Sequence, residues 1–203
     1  RYGRYSYFNQ PRIAKWNLAR FAECLIPLID KNEEKSLEIA TEIIDNFQNI
    51  YEEKWLNMMR DKLGLFGEDK EDKKLINDLF NWMEKNKVDY TNTFCHLMEI
   101  KIDDKDYKDE NFIEWLNRWK KRSKLNSPSK EKQIKLMKKT NPIVIPRNHK
   151  VEEALKEANK GNLEKMNKLN AILKNPYKNQ NEIEEYQVPA PISGKKYQTF
   201  CGT

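Results

Sequence analysis

The stretch that decides the fold is SLEIATEIIDNFQNIYEEKWLNMMRDKL, residues 36–63. Its apolar side chains return every three or four positions, from Leu37 through Phe47 to Met59. That spacing places an apolar stripe along one side of an α-helix, whereas a half-buried strand would show strict alternation. The stretch therefore predicts a long helix, and the rest of the chain can be compared with it.

The same period continues on both sides of this stretch. Helices are predicted over residues 13–29, 70–86, 91–99, 109–124, 149–160 and 162–174, with a shorter helix that starts at Ser127-Pro128. Alternation typical of strands is confined to residues 2–7 and 143–145. The predicted fold class is mainly α. We expect residues 1–174 to form a helical domain and residues 175–203, with three prolines, to form an irregular C-terminal tail.

The helix ends also carry recognisable signals. Asn32, followed by two glutamates, is typical of a helix start, because acidic side chains suit the positive N-terminus of a helix. Gly64 and Gly67 are expected to end the helix that follows. Gly161-Asn162 predicts a stop followed by a new cap.

Length and composition exclude several protein classes. The chain has 203 residues and a formal net charge of +6. Five Trp, nine Tyr and eight Phe argue against a disordered chain, and six Gly are too few for a β-rich fold or a glycine-rich phosphate loop. No apolar run is long enough to predict a membrane span. The chain starts at Arg1 instead of Met, and we interpret it as a piece of a longer protein.

The cysteines are sparse and far apart. Cys24, Cys95 and Cys201 do not form a disulfide framework, which indicates a reducing compartment. Together with His96 and His149 they make no zinc-binding pattern. Cys24 and Cys95 are predicted to be buried, inert thiols, since both lie in apolar segments. Cys201, close to two lysines near the end of the chain, is predicted to be exposed and more reactive.

The positive charge is concentrated in one block. Ten basic residues and a single acid, Glu131, lie between Arg118 and Lys139, which gives +9 in 22 residues and leaves −3 for the remainder. Such a block could bind nucleic acid or an acidic partner. However, Trp115 and Trp119 fall at helical spacing, which favours a core position, and lysine-rich helix faces are commonly just solvated. Both interpretations stay open at this point.

No catalytic motif is present: the sequence has no nucleophile elbow, phosphate loop, HExxH, EF-hand loop or paired CxxC. The most distinctive residues stand in short apolar contexts, where Asn and Asp cap helices and hold turns. We predict structural roles for a set of these: Gly3, Arg4, Tyr5, Asn9, Gln10, Pro11, Trp16, Asn17, Arg20, Asp89, Asn92, Asn141, Pro142, Arg147 and Asn148.

Five ordered segments of the chain together resemble the selenoprotein O family. They are GRYSYFNQPRIAKWNLARFAECLIPLI (Gly3–Ile29), DYTNTF (Asp89–Phe94), WLNRW (Trp115–Trp119), NPIVIPRNHKVEEAL (Asn141–Leu155) and NPY (Asn175–Tyr177), with Cys201 close to the end. The segments run through the whole chain in the family's order, and the lysine- and asparagine-rich helices between them add nothing to the resemblance.

The resemblance implies a protein-kinase-like (pseudokinase) fold, of which this chain would be the helical C-terminal lobe. The family transfers AMP from ATP to Ser, Thr or Tyr hydroxyls of proteins, with Mg²⁺ or Mn²⁺. Its nucleotide- and metal-binding residues precede the segment that matches Gly3–Pro11. The resemblance therefore implies that this chain alone holds no catalytic, cofactor-binding or metal-binding residue and is inactive. The implied partners are an N-terminal nucleotide-binding half and protein substrates, with no membrane.

The resemblance also implies a redox role for Cys201. Family members end in a cysteine or selenocysteine, usually followed by two serines, and in bacterial relatives this cysteine can bond to one in the activation-loop region. Gly202-Thr203 departs from that pattern, and the partner cysteine would lie outside this chain. The expected location is the cytoplasm, or mitochondria in eukaryotic relatives. The alternatives are a helical module that binds nucleic acid or an acidic partner through the Arg118–Lys139 block, and a helical interaction domain without chemistry.

Overall fold

The computed structural model describes residues 6–100, 105–126 and 128–190. Within these ranges the regular structure is helical and contains no strand, which confirms the mainly α prediction. The α-helices are α1 (Gln10–Ile29), α2 (Glu33–Asp45), α3 (Phe47–Lys62), α4 (Asp72–Asn86), α5 (Tyr90–Leu97), α6 (Glu110–Leu125), α7 (Lys130–Thr140), α8 (Asn148–Ala158), α9 (Glu164–Leu173) and α10 (Glu184–Gln187). Short 3-10 helices cover Tyr7–Asn9 and Lys105–Lys108.

The described residues fall into two compact units that divide between Met59 and Arg60. In the first unit α1 packs along α2. Ser36 and Ala40 of α2 are buried, whereas α1 has no buried residue. The second unit contains most of the buried apolar side chains, with α4 against α6 and α8 against α9. The predicted boundary between residues 174 and 175 stays a prediction.

The deciding stretch, residues 36–63, is two helices and not one. α2 ends at Asp45, α3 begins at Phe47, and Asn46 stands between them with φ −72° and ψ −10°. Asn is a poor former of helix interiors because its side chain competes for local hydrogen bonds. Here the Asn46 carboxamide oxygen accepts a bond from the Asn49 side chain at 3.1 Å. Since the backbone at Asn46 stays near helical values, the apolar period runs through the break without a visible interruption.

Several predicted helix ends are confirmed. The Asn32 side chain accepts a hydrogen bond from the Lys35 N–H at 3.2 Å and so caps α2. Gly64 and Gly67 follow α3 with φ of +64° and +66°, a region that favours glycine. A Cβ at Gly64 would lie 2.6 Å from Cγ of Gln133, so glycine also lets α7 approach closely.

The predicted helix start at Ser127-Pro128 is displaced in the structure. α7 begins at Lys130, and the hydroxyl of Ser129 accepts a hydrogen bond from the Lys132 N–H at 3.2 Å. Pro128 therefore precedes the cap instead of occupying the first helical position, and Ser127 lies outside the described residues. The Ser129 hydroxyl supplies the acceptor that the first turn needs, so the helix begins directly after it and not at Pro128.

The aromatic side chains of α6 form the centre of the second unit. Phe112, Trp115 and Trp119 are buried, and the indole rings of the two tryptophans stack. The Trp115 N–H donates to the Leu75 carbonyl at 2.8 Å, and the Trp119 N–H donates to the Leu63 carbonyl at 2.9 Å. Each indole thus buries its ring while its polar atom is satisfied. The core interpretation of these tryptophans is confirmed.

A buried carboxylate joins three helices of this unit. Asp72, at the start of α4, is 0% exposed. It accepts hydrogen bonds from Nε of Arg60 on α3 and Nε of Arg122 on α6, each at 2.7 Å, and from the Asp69 N–H at 3.0 Å. Arg122 also donates to the carbonyls of residues 66 and 67. Burial alone would raise the pKa of Asp72, but the bonds from Arg122 and Arg60 outweigh it and the pKa is lowered.

We expect Asp72→Asn to lower the free energy of unfolding by about 3–5 kcal/mol at neutral pH, because it leaves two buried arginines without their anion. The matched control, Asp78→Asn, removes an exposed pair with Arg118 and should cost about 1 kcal/mol or less. Denaturant unfolding followed by circular dichroism measures both.

The effect of Asp72 should depend on pH in a defined direction. Because its pKa is lower in the folded than in the unfolded chain, the stabilisation is fully present above about pH 4, the usual unfolded value. It is lost as the pH falls through the folded pKa. Equal losses for Asp72→Asn and Asp78→Asn at neutral pH would contradict the assignment.

Candidate functional site

Three of the distinctive residues meet in the second unit although they are far apart in the sequence. The guanidinium of Arg147 forms a two-pronged ion pair with Asp89, from Nη1 to Oδ2 at 2.8 Å and from Nη2 to Oδ1 at 3.0 Å. Nη2 also donates to Oδ1 of Asn92 at 3.2 Å. We call Asp89, Asn92 and Arg147 the Arg147 cluster.

Local structure places both halves of this ion pair at helix N-termini. Asp89 precedes α5 in an extended conformation and accepts the Asn92 N–H at 2.9 Å, which is a typical N-cap bond. Arg147 precedes α8, also extended, with φ −72° and ψ 130°. Because each residue stands at the point where the chain enters a helix, their side chains can project towards each other from rigid elements.

The Arg147 cluster also holds the segment that contains α10. Nε of Arg147 donates to the Tyr186 carbonyl at 3.2 Å, and Nδ2 of Asn92 donates to the Gln187 carbonyl at 3.2 Å. Gln187 in turn donates from its side chain to the Ile143 carbonyl at 2.9 Å. The segments that contain α5, α8 and α10 are therefore joined at one point.

The electrostatics of the cluster are those of a closed structural pair. Burial alone would raise the pKa of Asp89, but the bonds from Arg147 and from the Asn92 N–H outweigh it and lower the pKa. Arg147 is itself buried and uses Nε, Nη1 and Nη2 on acceptors of its own chain. The arrangement fixes the positions of three segments and presents neither a free base nor a free cation.

Asn141 forms a second buried connection. Its Nδ2 donates to the Lys62 carbonyl at 2.8 Å and to the Met137 carbonyl at 3.0 Å, so it joins the ends of α3 and α7. Pro142, which follows, is partly buried, and Asn148 is exposed as the first residue of α8. Asn141 thus contributes a connection within the core and not a ligand site.

The remaining distinctive residues belong to the first unit or lie outside the description. Asn9 precedes α1, while Gln10, Pro11, Trp16, Asn17 and Arg20 lie on it. Trp16 is 49% exposed, and the Arg20 guanidinium lies 5.7 Å from its ring centroid and pairs with Glu23 at 2.5 Å. Gly3, Arg4, Tyr5 and Cys201 lie outside the described residues.

The two described cysteines differ. Cys95 is buried, as predicted, and burial raises the pKa of its thiol to about 12, so the reactive thiolate is suppressed. The Lys62 ammonium lies over the ring of Phe94 next to it, 4.5 Å from the centroid, and burial lowers the pKa of Lys62 to about 8. The Lys62 ammonium and the Cys95 thiol are thus both desolvated in the core.

The prediction that Cys24 is buried is wrong. Cys24 is exposed, and its thiol donates to the Arg20 carbonyl one turn earlier, at 3.4 Å. The reason is geometric: α1 packs against α2 along one side only, and helical spacing places Cys24 on the other side. An apolar helix in the sequence does not imply that every side of it is covered.

The basic block divides into bonded arginines and exposed lysines. Arg122 is buried against Asp72, and Arg118 pairs with Asp78 at 2.7 Å. The eight lysines of the block are all exposed: Lys120, Lys121, Lys124, Lys130, Lys132, Lys135, Lys138 and Lys139. Lys130 pairs with Glu99 at 2.5 Å. Since Trp115 and Trp119 are buried, they are not available to stack on a nucleic-acid base.

Across residues 6–100, 105–126 and 128–190, no three or more His, Cys, Asp or Glu side chains are grouped so that they could hold a metal ion. In the same part of the chain, no helix combines the length and the apolar character needed to cross a bilayer.

Sequence reasoning missed the ionic centre formed by Asp72, Arg60 and Arg122. A signal for it exists, because Asp72 falls one turn before Leu75 and Ile76 and thus on the apolar face of α4. An acid at a core position indicates a buried cationic partner.

The described residues form a helical protein segment in which Asp72 and Asp89 hold helices together through ion pairs. Comparisons with known proteins assign its family. Residues 1–174 match the family described as Protein adenylyltransferase SelO. The chain belongs to this family, which confirms the resemblance to selenoprotein O.

The named relatives are protein nucleotidyltransferases. The chain is 57% identical over 202 residues to Protein nucleotidyltransferase YdiU of Pelagibacter ubique, covering 99% of this chain and 42% of that protein. It is 45% identical to the protein of the same name from Nitrosococcus oceani, covering 99% and 41%. For Clostridium beijerinckii the identity is 47%, covering 100% and 42%. The chain thus spans about two-fifths of the length of these curated relatives.

The Arg147 cluster generates a local prediction. Arg147→Lys keeps the charge but cannot form the two-pronged pair, so we expect hydrogen exchange of the backbone amides of α10 and its neighbours to accelerate about 10-fold or more. The control, Arg118→Lys, changes an exposed pair and should leave that exchange unchanged. Unchanged exchange at α10 in Arg147→Lys would show that the cluster does not hold this segment.

Proposed function

We propose that this chain is the C-terminal helical part of a protein adenylyltransferase that transfers AMP from ATP to Ser, Thr or Tyr hydroxyls of proteins. Membership of the SelO family and the names of its relatives support this activity. Within the intact protein, we assign this chain to the helical lobe of a kinase-like fold. Its role there is that of a scaffold for the catalytic half.

The observation that carries the scaffold role is an apolar face of α1 that the first unit leaves exposed. Leu18, Phe21 and Leu28 are 43%, 60% and 80% exposed, and helical spacing places them on one side together with Leu25. A helix with apolar residues on more than one side is typical of the interior of a larger domain. Full burial of a side chain of this size contributes about 1.5–3 kcal/mol.

The occupant of this face would be the part of the protein that corresponds to the rest of the relatives' length. The chain matches only about 42% of those proteins, so more than half of each relative has no counterpart here. A segment of that size contains ample apolar surface to cover α1. In the intact protein, α1 would then lie between its partner α2 and the nucleotide-binding half.

Catalysis is assigned to that other half. Transfer of a nucleotidyl group needs phosphates held by a divalent metal and stabilisation of the developing charge. Asp72 and Asp89 do not fit such a site, because both are neutralised by buried arginines. The other acidic side chains of the described residues form no group that could hold a metal ion. We therefore place ATP and Mg²⁺ or Mn²⁺ outside this chain and derive no chemical step from its residues.

Two further assignments come from the family resemblance and are proposals. Cys201 would act as a redox-sensitive thiol whose partner lies in the other half of the protein. The cytoplasm is the proposed location, which agrees with bacterial relatives and with the sparse cysteines.

Incubation of the intact protein with labelled ATP and Mg²⁺ or Mn²⁺ should attach AMP to the protein itself or to a model substrate, detected by mass spectrometry. The 203-residue chain alone should attach none, because the proposed metal and nucleotide sites are absent from it. No AMP on any protein, or transfer of phosphate instead, would refute the proposed activity.

Oxidant added to the same assay tests the redox assignment. Cys201→Ser in the intact protein should change the response to oxidant, whereas Cys24→Ser should not. Calorimetry tests where ATP binds. Stoichiometric ATP binding by the 203-residue chain would overturn the proposal that the nucleotide site lies in the other half of the protein.

The scaffold role predicts a large effect of the α1 face on stability. In the intact protein, Phe21→Ala with Leu28→Ala should lower the free energy of unfolding by about 5 kcal/mol or more, as for buried side chains. The control pair, Ile113→Ala with Leu155→Ala, is 45% and 44% exposed in the second unit and should cost about 1 kcal/mol or less. Equally small losses for both pairs would mean that nothing covers α1.

A further inference from the structure

The outer face of α7 carries lysines that have no ionic partner in the described part of the chain. Lys132, Lys135 and Lys139 are spaced i, i+3 and i+7, which places them on one side of the helix, and Lys138 lies next to them. All four are exposed. The opposite side of α7 is fixed to the core by Gln133 and Met137, which are buried.

The last turns of α6 carry three more exposed lysines. Lys120, Lys121 and Lys124 lie on the outer side of α6. Both helices approach one loop: Gly64 packs against α7, and Gly67 packs against Asn126 at the end of α6. Both helices thus have an end or a side close to the loop that follows α3. We call these seven lysines of α6 and α7 the lysine face.

Within the residues that the structure describes, the charge of the lysine face is not compensated by ion pairs. Lysines at i, i+3 and i+4 repel each other by about 0.2–0.5 kcal/mol per pair in isolated helices. Glu131 is the acid within α7, and one carboxylate does not balance four ammonium groups. Arg122 and Arg118 of the block are paired with Asp72 and Asp78, so the cations that a binding partner could contact are lysines.

We propose that the lysine face binds an acidic segment of a protein, and that this segment belongs to the substrates of the proposed adenylyltransferase activity. The second half of this statement rests on the proposed function. A protein is favoured over nucleic acid because α7 offers no exposed aromatic ring for base stacking, and Trp115 and Trp119 of α6 are buried. Lys132 and Lys139 are separated by about 10 Å along the helix, which matches carboxylates on two turns of an acidic helix.

The binding test uses the intact protein and a labelled oligoglutamate peptide, with labelled single-stranded and duplex DNA as competitors of another class. The variant carries Lys132→Gln, Lys135→Gln and Lys139→Gln, which keep helix propensity while removing charge. The control carries Lys74→Gln, Lys174→Gln and Lys178→Gln, exposed lysines on other elements with the same total change of charge.

Fluorescence anisotropy should show that the peptide binds, that binding weakens when salt is raised, and that the variant loses about 10-fold in affinity. The control should stay within about 2-fold of the unmodified protein. Equal affinity of the variant and the unmodified protein would overturn the proposal. Tighter binding of either DNA than of the peptide, lost in the variant, would overturn it in favour of a nucleic-acid surface.

A kinetic arm separates this proposal from the proposed function. AMP transfer to a model protein that carries an oligoglutamate segment should show a raised KM in the variant, with kcat and self-modification unchanged. Failure of the unmodified protein to transfer any AMP would refute the proposed function, while the peptide-binding result would still decide whether the lysine face binds acidic segments.

Discussion

The carboxylate of Asp72 is the constraint on which the second unit depends. It is fully buried, and it receives Arg60 from α3 and Arg122 from α6. Because Arg122 also binds the carbonyls of residues 66 and 67, the same set of charges fixes the loop between α3 and α4. The tryptophans of α6 donate to the Leu75 carbonyl of α4 and to the Leu63 carbonyl directly after α3, so aromatic packing and ionic bonding specify one arrangement.

The Arg147 cluster is a second ion pair of the same kind, formed by residues further along the chain. In both places an aspartate at a helix N-terminus, buried at Asp72 and partly buried at Asp89, accepts two or more charge-assisted bonds. A buried arginine, Arg122 or Arg147, also donates to backbone carbonyls. Such pairs lose much when one partner is removed, since the other is left buried and charged. Asp72 and Asp89 thus hold helices together.

Much of the fold follows from local patterns, and what does not follow is long-range. The cap at Asn32, the stops at Gly64 and Gly67, and the burial of Trp115 are properties of a few neighbouring residues, and sequence reasoning finds them. Asp72 and Arg122 are 50 positions apart, and the residues around either of them do not indicate which partner it pairs with. The prediction that Cys24 is buried is wrong for a related reason. Helical periodicity shows that a helix has an apolar side, but it does not show how many of its sides are covered by other elements.

The bonds that hold α10 set a geometric limit on the segment that follows it. Gln187 is fixed to Asn92 and Ile143, so the chain leaves the helical unit from a defined point. Cys201 is fourteen residues further on, and a chain of that length reaches at most about 50 Å whatever path it takes. Any group that reacts with this thiol within one molecule must therefore lie inside a sphere of that radius, centred on the anchor that Arg147 helps to build.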